Sequence, residues 1–357
     1  MTYIQGKSSG EVNDSTAGDM KNPLLNVPKL DYRQLMGGKL KGAIYEALKE
    51  YAFFYITDIP GLNAENEMRI TKNFFSQSKD VKLRYASVKH NSDNANVFRG
   101  YGFVDSLEGC PIEEAYNVGQ FDNRSCTVND VSCRAEFISR EPNVWPGKCD
   151  FDGSHDFQST LTKGFDIRMN LARKISENLG EVLKYAEFPL LFKDGEFTSL
   201  YLKRYGIRNP ADNVNVYYGG AGYAMQTEDG KDLAVPSHID TTITLLATYN
   251  NSGLQAMYKD NWYDVPSIMG SLMLMSGDLI EELTDGKLPC LRHRVLDIKE
   301  DRYSMPFFYN LSFNADISKS QNGKDTKAGQ LSSTYGPWQV VQLHRDETLI
   351  LNDGSLN

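Results

Sequence analysis

The stretch "PSHIDTTITLL", residues 236–246, places a histidine and an aspartate at the head of an apolar, β-branched segment. Such segments favour strands, and alternation along a strand puts residues i and i+2 on the same face. His238 and Asp240 are therefore predicted to face a common centre, with Ile239 directed into the core. A buried polar group without a partner costs about 1–3 kcal/mol. The two side chains must therefore form a satisfied hydrogen-bonded corner or hold a ligand together.

The surrounding sequence predicts a mainly β fold with a jacket of α-helices. After residue 196, short alternating or apolar segments recur between Gly, Asn, Asp and Pro residues, a pattern typical of sandwiches and barrels, jelly rolls included. Earlier in the chain, a helical stripe over residues 158–180 predicts a long helix that ends at Gly180. Residues 39–57 predict a helix followed by a strand, whereas residues 103–155 predict long surface loops.

Composition restricts the class of protein. The chain has 357 residues, 40% of them hydrophobic, and a formal net charge of −9. This acidic balance argues against binding to nucleic acid or to an anionic membrane surface. No apolar run approaches the roughly 18 residues of a membrane-spanning helix. The first 27 residues lack the apolar core of a signal peptide, so we expect a flexible tail and a cytoplasmic protein.

Five cysteines without a CxxC spacing favour free thiols in a reducing compartment. Four of them lie between residues 110 and 149, which leaves one disulfide in that region open.

A second histidine completes a set of candidate metal ligands. His293 lies 55 residues after His238, in the strand-like segment "CLRHRVLDI". Two histidines and one carboxylate on one side of a metal form the facial triad of non-haem Fe(II) enzymes, with coordination positions left open. Zinc accepts the same ligands and is the alternative. An isolated His-x-Asp pair is weak support for either metal. The choice between them therefore depends on the residues that follow His293 in the sequence.

Arg302-Tyr303-Ser304 follows nine residues after His293. In a strand, Arg302 and Ser304 share one face. A guanidinium offers a two-pronged donor for a carboxylate, and the hydroxyl adds a further donor. Next to a metal, this pair predicts a site for a small dicarboxylate.

Together these motifs resemble the Fe(II)/2-oxoglutarate-dependent dioxygenase superfamily, and specifically its isopenicillin N synthase-like branch. The segment "GLQAMYKDNWYDVPSIMGSLMLMSGDLIEELTDGKLPCLRHRV" and the upstream "VPKLDY", "AFFYITDIPGL" and "FRGYG" are similar to that branch. The resemblance covers roughly residues 26–315. It implies a double-stranded β-helix (jelly-roll) core with a helical N-terminal region.

On this basis the chain is expected to have three parts. Residues 1–27 form the tail, residues 28–155 form an N-terminal α/β region, and residues 156–357 form a long support helix and the jelly-roll catalytic core. The segment 211–234 resembles an insertion, and it forms either an aromatic lid over the site or a surface excursion.

The resemblance also implies roles for individual residues. His238, Asp240 and His293 would bind Fe(II), and no catalytic side chain beyond the metal site is expected. Arg302 and Ser304 would hold the distal carboxylate of 2-oxoglutarate.

A tyrosine that precedes the His-x-Asp pair often assists the cosubstrate in this family. Tyr205 in "YLKRYG" is the candidate here and Tyr217 is its rival, although glycine replaces the family's proline after either residue.

The implied function is oxidation of a C–H bond in a small natural-product or amino-acid-derived substrate of secondary metabolism. Fe(II), 2-oxoglutarate and O2 would be the cofactors, and succinate and CO2 would be released. Hydroxylation is the default outcome. The alternatives are ring closure or desaturation, as in kainoid-type synthases, and an isopenicillin N synthase-like oxidase that uses no 2-oxoglutarate. A zinc hydrolase or a silent binding module is disfavoured because both motifs are intact.

Four cationic residues are candidates for binding a substrate carboxylate, with solvated surface charge as the alternative: Arg99, Lys203, Arg204 and Arg208. Of Phe307, Phe308 and Tyr309, at least two are expected in the core and the remainder in the pocket. The predicted partner is a small molecule, with no nucleic acid or membrane, and the protein is expected to be a monomer.

Overall fold

The computed structural model of the protein describes residues 26–106, 109–123, 134–207, 225–249 and 251–344. Most of the predicted tail, together with Tyr217, Arg208, Cys126 and Cys133, lies outside these ranges. The strands in the described part of the chain are β1 (Lys29–Asp31), β2 (Phe53–Thr57), β3 (Gly100–Asp105), β4 (Pro111–Gly119), β5 (Ser199–Tyr205), β6 (Leu233–Ile239), β7 (Ile243–Ala247), β8 (Leu254–Tyr258), β9 (Asn261–Asp264), β10 (Leu272–Ser276), β11 (Arg292–Leu296) and β12 (Arg302–Tyr309).

Helices flank these strands. They are α1 (Tyr32–Met36), α2 (Lys41–Tyr51), α3 (Ala64–Phe75), α4 (Lys79–Leu83), α5 (Arg134–Ser139), α6 (Phe157–Leu183), α7 (Asp278–Leu283), α8 (Lys327–Leu331) and α9 (Tyr335–His344). No helix in the described ranges is long and apolar enough to cross a membrane. Cys110, Cys149 and Cys290 are free thiols.

The helix-then-strand prediction for residues 39–57 is confirmed by α2 and β2. The long helix is also confirmed, but the prediction that it ends at Gly180 is wrong. Helix α6 continues to Leu183 and ends at Lys184, which adopts the left-handed conformation with φ 55°. Gly180 is instead buried, and a Cβ there would lie 2.9 Å from the ring of Pro189. Close packing therefore explains this glycine.

The strands form two sheets. The larger has eight strands in the order β1-β2-β10-β7-β12-β5-β4-β3, and the smaller has four in the order β6-β11-β8-β9. This confirms a core of two sheets, with which the predicted jelly roll is consistent. Strands β1 to β4 pair in the same sheet as β5, β7, β10 and β12. The larger sheet is thus built from both early and late parts of the chain.

The prediction of surface loops throughout residues 103–155 is wrong because β4 occupies nine of them. It pairs with β3 on one side and with β5 on the other. Glu113 and Glu114 hide the strand signal in the sequence, yet both are buried, and each carboxylate forms ion pairs. Paired charges are tolerated in an interior where single charges are not.

The stretch 236–246 crosses from one sheet to the other. Strand β6 ends at Ile239 in the smaller sheet, and β7 begins at Ile243 in the larger sheet. The backbone N–H of Asp278 donates to the carbonyl of Asp240 at 3.0 Å, which fastens this corner to the start of α7. A Cβ at Gly277 would lie 2.4 Å from the backbone carbon of Thr241, so only glycine permits this approach. Asp240 is thereby held at a rigid turn between the two sheets.

Helix α6 is fastened to α3 by a buried ion pair. Arg168 Nη1 and Nη2 donate to Glu67 Oε1 and Oε2 at 2.7 and 2.8 Å, and both side chains are buried. The hydroxyl of Tyr249 donates to the same carboxylate at 3.2 Å. The pair is bidentate and enclosed, so it is sensitive to the loss of either partner.

We expect Glu67→Gln to lower the free energy of unfolding by about 3–5 kcal/mol, because it leaves the charge of Arg168 buried without a counter-charge. Chemical denaturation followed by far-UV circular dichroism measures the change. Glu177→Gln is the matched control. It breaks the exposed 2.9 Å pair with Lys174 on the same helix and should cost less than about 0.5 kcal/mol. Equal effects of the two substitutions would contradict the assignment.

Candidate active site

The structure brings together three side chains that the sequence analysis singled out. His238 and His293 are cross-strand neighbours on β6 and β11, and Asp240 follows at the corner. Their ligand atoms all lie within 4.8 Å of one another. Asp240 Oδ1 is 3.7 Å from His238 Nε2 and 3.9 Å from His293 Nε2. These distances leave room for one metal ion between the three atoms.

The atoms that face away from this centre are held by other groups. His238 Nδ1 lies 2.9 Å from the carbonyl oxygen of Pro236, and His293 Nδ1 lies 3.2 Å from that of Leu291. A proton on Nδ1 donated to a carbonyl leaves Nε2 free as a metal ligand. The hydroxyl of Thr244 donates to Asp240 Oδ2 at 2.6 Å, so that Oδ1 faces the histidines. The three ligand atoms are therefore oriented before a metal binds.

Burial, and then the neighbouring His293, lowers the pKa of His238 to about 4. The charge of Lys203 contributes in the same direction, whereas Asp240 opposes it. His238 is therefore neutral at pH 7, which is the form that binds a metal.

Arg302, Ser304 and Tyr205 lie beside the triad on the larger sheet. Arg302 pairs with Tyr205 across β12 and β5. The guanidinium and the hydroxyl-bearing Ser304 are both buried. Arg302 Nε donates to the carbonyl of Ser252 at 3.0 Å, and the guanidinium carbon lies 5.5 Å from the centre of the Tyr205 ring. No carboxylate in the described ranges pairs with Arg302. A buried cation without a counter-charge fits one carboxylate of a dicarboxylic acid.

A cavity of about 140 Å³ joins these groups. Its lining includes all three triad residues together with Arg302, Ser304 and Tyr205, and apolar side chains such as Leu246 and Met275 complete its wall. We call it the metal cavity. The site thus combines a candidate metal centre, an anion-binding end and an apolar enclosure.

A second cavity of about 470 Å³ opens next to the first. We call it the outer cavity. Lys203, His238, Asp240 and Phe308 line both cavities. Ile239 also lines the outer cavity and is only partly buried. The prediction that it enters the core is wrong, because β6 ends there and its outward face borders this cavity.

Arg99 reaches the outer cavity from the end of the segment before β3. Its Nη1 donates to Asn117 Oδ1 at 2.9 Å and to Ser199 Oγ at 2.7 Å, while Nε is buried without a hydrogen-bond partner. A Cβ at Gly119 would lie 2.4 Å from the guanidinium carbon, so this glycine makes room for it. Burial lowers the pKa of the arginine. Within the described residues, no carboxylate forms an ion pair with its side chain.

Lys203 and Arg204, the remaining predicted cations in the described ranges, are neighbours on β5 and therefore point to opposite faces of the sheet. Lys203 faces the cavities, whereas Arg204 faces the opposite side and pairs with Glu114 at 2.5 Å and with Asp301 at 2.9 Å. Arg204 is therefore not available as a substrate-binding residue. Because its charge is already balanced, the substrate-binding interpretation of Arg204 is disfavoured.

The aromatic run on β12 divides in the same way. Phe308 lines both cavities. Phe307 packs against Phe165, and Tyr309 stacks on Phe192 in the core. The expectation that at least two of the three residues belong to the core is confirmed.

Several residues of the site were not found from the sequence, among them Thr244, Glu113 and Gln339. Thr244 orients Asp240, Glu113 lines the metal cavity, and Gln339 of α9 lines the outer cavity. The alternation of β7 places Thr244 on a definite face, but nothing local links it to Asp240. Glu113 and Gln339 reach the site only through the pairing of distant elements.

Comparisons with known proteins agree with this geometry. Residues 210–311 match the family model of the 2OG-Fe(II) oxygenase superfamily. The chain is 26% identical to isopenicillin N synthase of Penicillium chrysogenum over 88% of this chain and 94% of that protein. It is 23% identical to isopenicillin N synthase of Amycolatopsis lactamdurans over 94% and 99% of the respective chains.

Solved structures share the fold. A full-length protein of Neurospora crassa, crystallised in complex with alpha-KG and 5-formyluracil, superposes with a TM-score of 0.63 at 19% identity and covers 94% of this chain and 99% of its own. JOX2, crystallised with 2OG, Fe and JA, superposes with a TM-score of 0.61 at 19% identity over 94% and 92%.

The two-sheet fold and its His-Asp-His centre are those of a non-haem iron oxygenase that takes Fe(II), 2-oxoglutarate and O2 as cofactors. Within that class, the chain is similar to the 2OG-Fe(II) oxygenase superfamily over residues 210–311 and to isopenicillin N synthases along most of its length.

Proposed function

We propose that this protein oxidises a C–H bond of a small natural-product or amino-acid-derived substrate that carries an anionic group, with release of succinate and CO2. His238, Asp240 and His293 are the iron ligands, and Arg302, Ser304 and Tyr205 bind the distal carboxylate of 2-oxoglutarate. Hydroxylation is the default outcome. The reaction then consumes one O2, one 2-oxoglutarate and the substrate C–H, and yields the alcohol, succinate and CO2.

One observation carries the cosubstrate assignment. Arg302 is buried in the wall of the metal cavity, and no carboxylate in the described ranges balances it. A buried guanidinium with only a backbone carbonyl as partner is stabilised when an anion enters the cavity. Ser304 and Tyr205 line the same cavity and carry hydroxyl groups. The site is thus suited to one carboxylate near β12 and a metal at the sheet crossover.

The work of the chain is to bind, orient and exclude water. When bound, Fe(II), 2-oxoglutarate and O2 supply the oxidation itself, since the keto acid is decarboxylated to succinate as the substrate is oxidised. Thr244 and the carbonyls of Pro236 and Leu291 keep the ligand atoms aimed at the metal. Leu246 and Met275 contribute apolar side chains to the wall of the metal cavity. No side-chain nucleophile or general base is required.

Anaerobic titration with Fe(II) and then 2-oxoglutarate tests this proposal. We expect a visible charge-transfer band that saturates near one equivalent of the keto acid. Aerobic incubation with a panel of small anionic compounds should then release succinate in step with loss of a substrate. An iron-loaded protein that develops no band would contradict the proposal.

Similarity to isopenicillin N synthases over 88% of the chain supports a second candidate, an oxidase in which the carboxylate of the substrate itself occupies Arg302. Substrate oxidation without succinate would identify it. If succinate is formed, the mass of the product separates the outcomes. Hydroxylation adds one oxygen, whereas ring closure or desaturation removes two hydrogens.

The residues that line the outer cavity are the reason for proposing an anionic group on the substrate. Arg99 is buried there beside Asn117 and Ser199, without an ion-paired carboxylate in the described ranges. Phe98, Phe197 and Phe308 line the same cavity, so an apolar body joined to a carboxylate would match both features.

We expect Arg99→Met to raise KM for a carboxylate substrate by roughly 30-fold or more, because removal of one partner of a buried charge pair costs about 2–5 kcal/mol. Succinate release as a function of substrate concentration measures KM. The 2-oxoglutarate titration should be unchanged, since Arg99 does not line the metal cavity. Arg33→Met, an exposed arginine, is the control. An unchanged KM would remove Arg99 from the substrate site.

A further inference from the structure

Lys203 and Glu113 form a partly buried ion pair at the boundary between the two cavities. Lys203 Nζ donates to Glu113 Oε1, and Glu113 is only 4% exposed. Both residues line the metal cavity, and Lys203 also lines the outer cavity. An ion pair that merely supported the sheet would not need to face the cavities.

The lysine is charged and has donors to spare. Burial lowers its pKa, but Glu113 and Tyr205 more than offset this, so the pKa of the Lys203 ammonium lies above its usual value. An ammonium group has three N–H donors, and its hydrogen bond in the described structure goes to Glu113. Glu113 Oε2 is buried without a hydrogen-bond partner. The carboxylate therefore fixes the position of the ammonium with one oxygen and leaves donors for a ligand.

The strand register places this ammonium between the anion-binding end and the metal. Tyr205 lies opposite Arg302, and Lys203 lies opposite Ser304. Further along the same face of β12, Phe308 lies opposite Thr244 of β7, the residue that holds Asp240. Two residues along a strand span about 6.6 Å, so Lys203 is one such step closer to the metal ligands than Tyr205 is.

We propose that Lys203 binds the carboxylate of 2-oxoglutarate that adjoins the keto group, beside the metal, and that Glu113 is the positioning residue for its ammonium. The inference rests on the proposed use of 2-oxoglutarate. It adds a second cation to the cosubstrate site, with Arg302 at the distal carboxylate and Lys203 at the keto acid end.

Comparing two keto acids distinguishes a contact with one end of the cosubstrate from a contact with the other end. 2-Oxoglutarate carries both carboxylates, whereas 2-oxopentanoate carries only the one next to the keto group. Anaerobic titration of the Fe(II)-loaded protein, followed by the charge-transfer band, gives Kd for each. We expect Lys203→Met to weaken both keto acids by a similar factor of about 10 or more, as expected for a charge-assisted hydrogen bond.

A double variant controls for two other causes of weaker binding, namely misfolding and the unpaired charge that Lys203→Met leaves on Glu113. Lys203→Met with Glu113→Gln leaves no unpaired carboxylate, and it should show the same parallel weakening with unchanged iron content. Glu113→Gln alone should weaken both keto acids by a smaller common factor. Lys174→Met, which removes a lysine from an exposed ion pair on α6, is the matched control and should titrate like the wild type.

The outcomes are distinct. Wild-type affinities in the double variant would overturn the inference, while the proposed function would stand. Weakening of 2-oxoglutarate alone would overturn it as well, because the contact would then be with the distal carboxylate. A wild-type protein without any band would contradict the proposed function and this inference with it.

Discussion

His238→Ala is expected to abolish stoichiometric Fe(II) binding. His238 Nε2 is one of three ligand atoms grouped within 4.8 Å, and the other two cannot enclose a metal from three sides. Changes to residues that only orient metal ligands cost about 10- to 100-fold in affinity, and the loss of a ligand should exceed that range. Metal analysis after anaerobic loading and desalting measures the effect, and the keto acid band should be absent.

The substitution should leave the fold intact. His238 lies at the end of β6, is only partly buried and faces the cavities. His155→Ala is the matched control because that side chain is 70% exposed on the surface. It should bind one equivalent of iron like the wild type. Retention of iron by His238→Ala at wild-type affinity would show that the triad is not the metal site.

Arg302→Met is expected to weaken the binding of 2-oxoglutarate by roughly 30- to 4,000-fold while iron binding persists. Removal of one member of a buried charge pair costs about 2–5 kcal/mol. The methionine side chain fills part of the same volume without the donors. Anaerobic titration of the charge-transfer band measures Kd, and metal analysis verifies that the iron remains.

The second keto acid makes this prediction specific. 2-Oxopentanoate has no distal carboxylate, so Arg302→Met should bind it about as well as the wild type does, and the preference for 2-oxoglutarate should disappear. Arg33→Met controls for the general loss of a positive charge. Unaltered affinity of Arg302→Met for 2-oxoglutarate would instead favour the oxidase, in which Arg302 serves the substrate.

Several features could be predicted because they depend on neighbours in the sequence. Helical periodicity determined α2 and α6, and the switch to β-branched and aromatic residues determined β2. The spacing of His238 and Asp240, and of Arg302 and Ser304, was informative for the same reason. Side-chain direction along a strand is a local property.

Other features could not be predicted, because local patterns do not carry them. Gly180 reads as a helix terminator, yet contact with the distant Pro189 explains it. The two glutamates of β4 make this segment look like a loop in the sequence. Their charges are neutralised by residues far away in the chain, which allows the strand to be buried. In a sequence, a charged residue is judged by its neighbours along the chain. The free-energy cost of burying that charge depends instead on the partner that the fold supplies.

The same distinction applies to the site. The sequence by itself predicted the ligand types, the metal class and, through Arg302 and Ser304, an anion-binding end. Only the tertiary structure decided that Lys203 faces the cavities while Arg204 does not, that Arg99 lies in the outer cavity, and that Glu113 joins the site. Strand pairing and sheet packing bring these residues together across long separations, and the free energy that selects one pairing belongs to the whole core rather than to any segment.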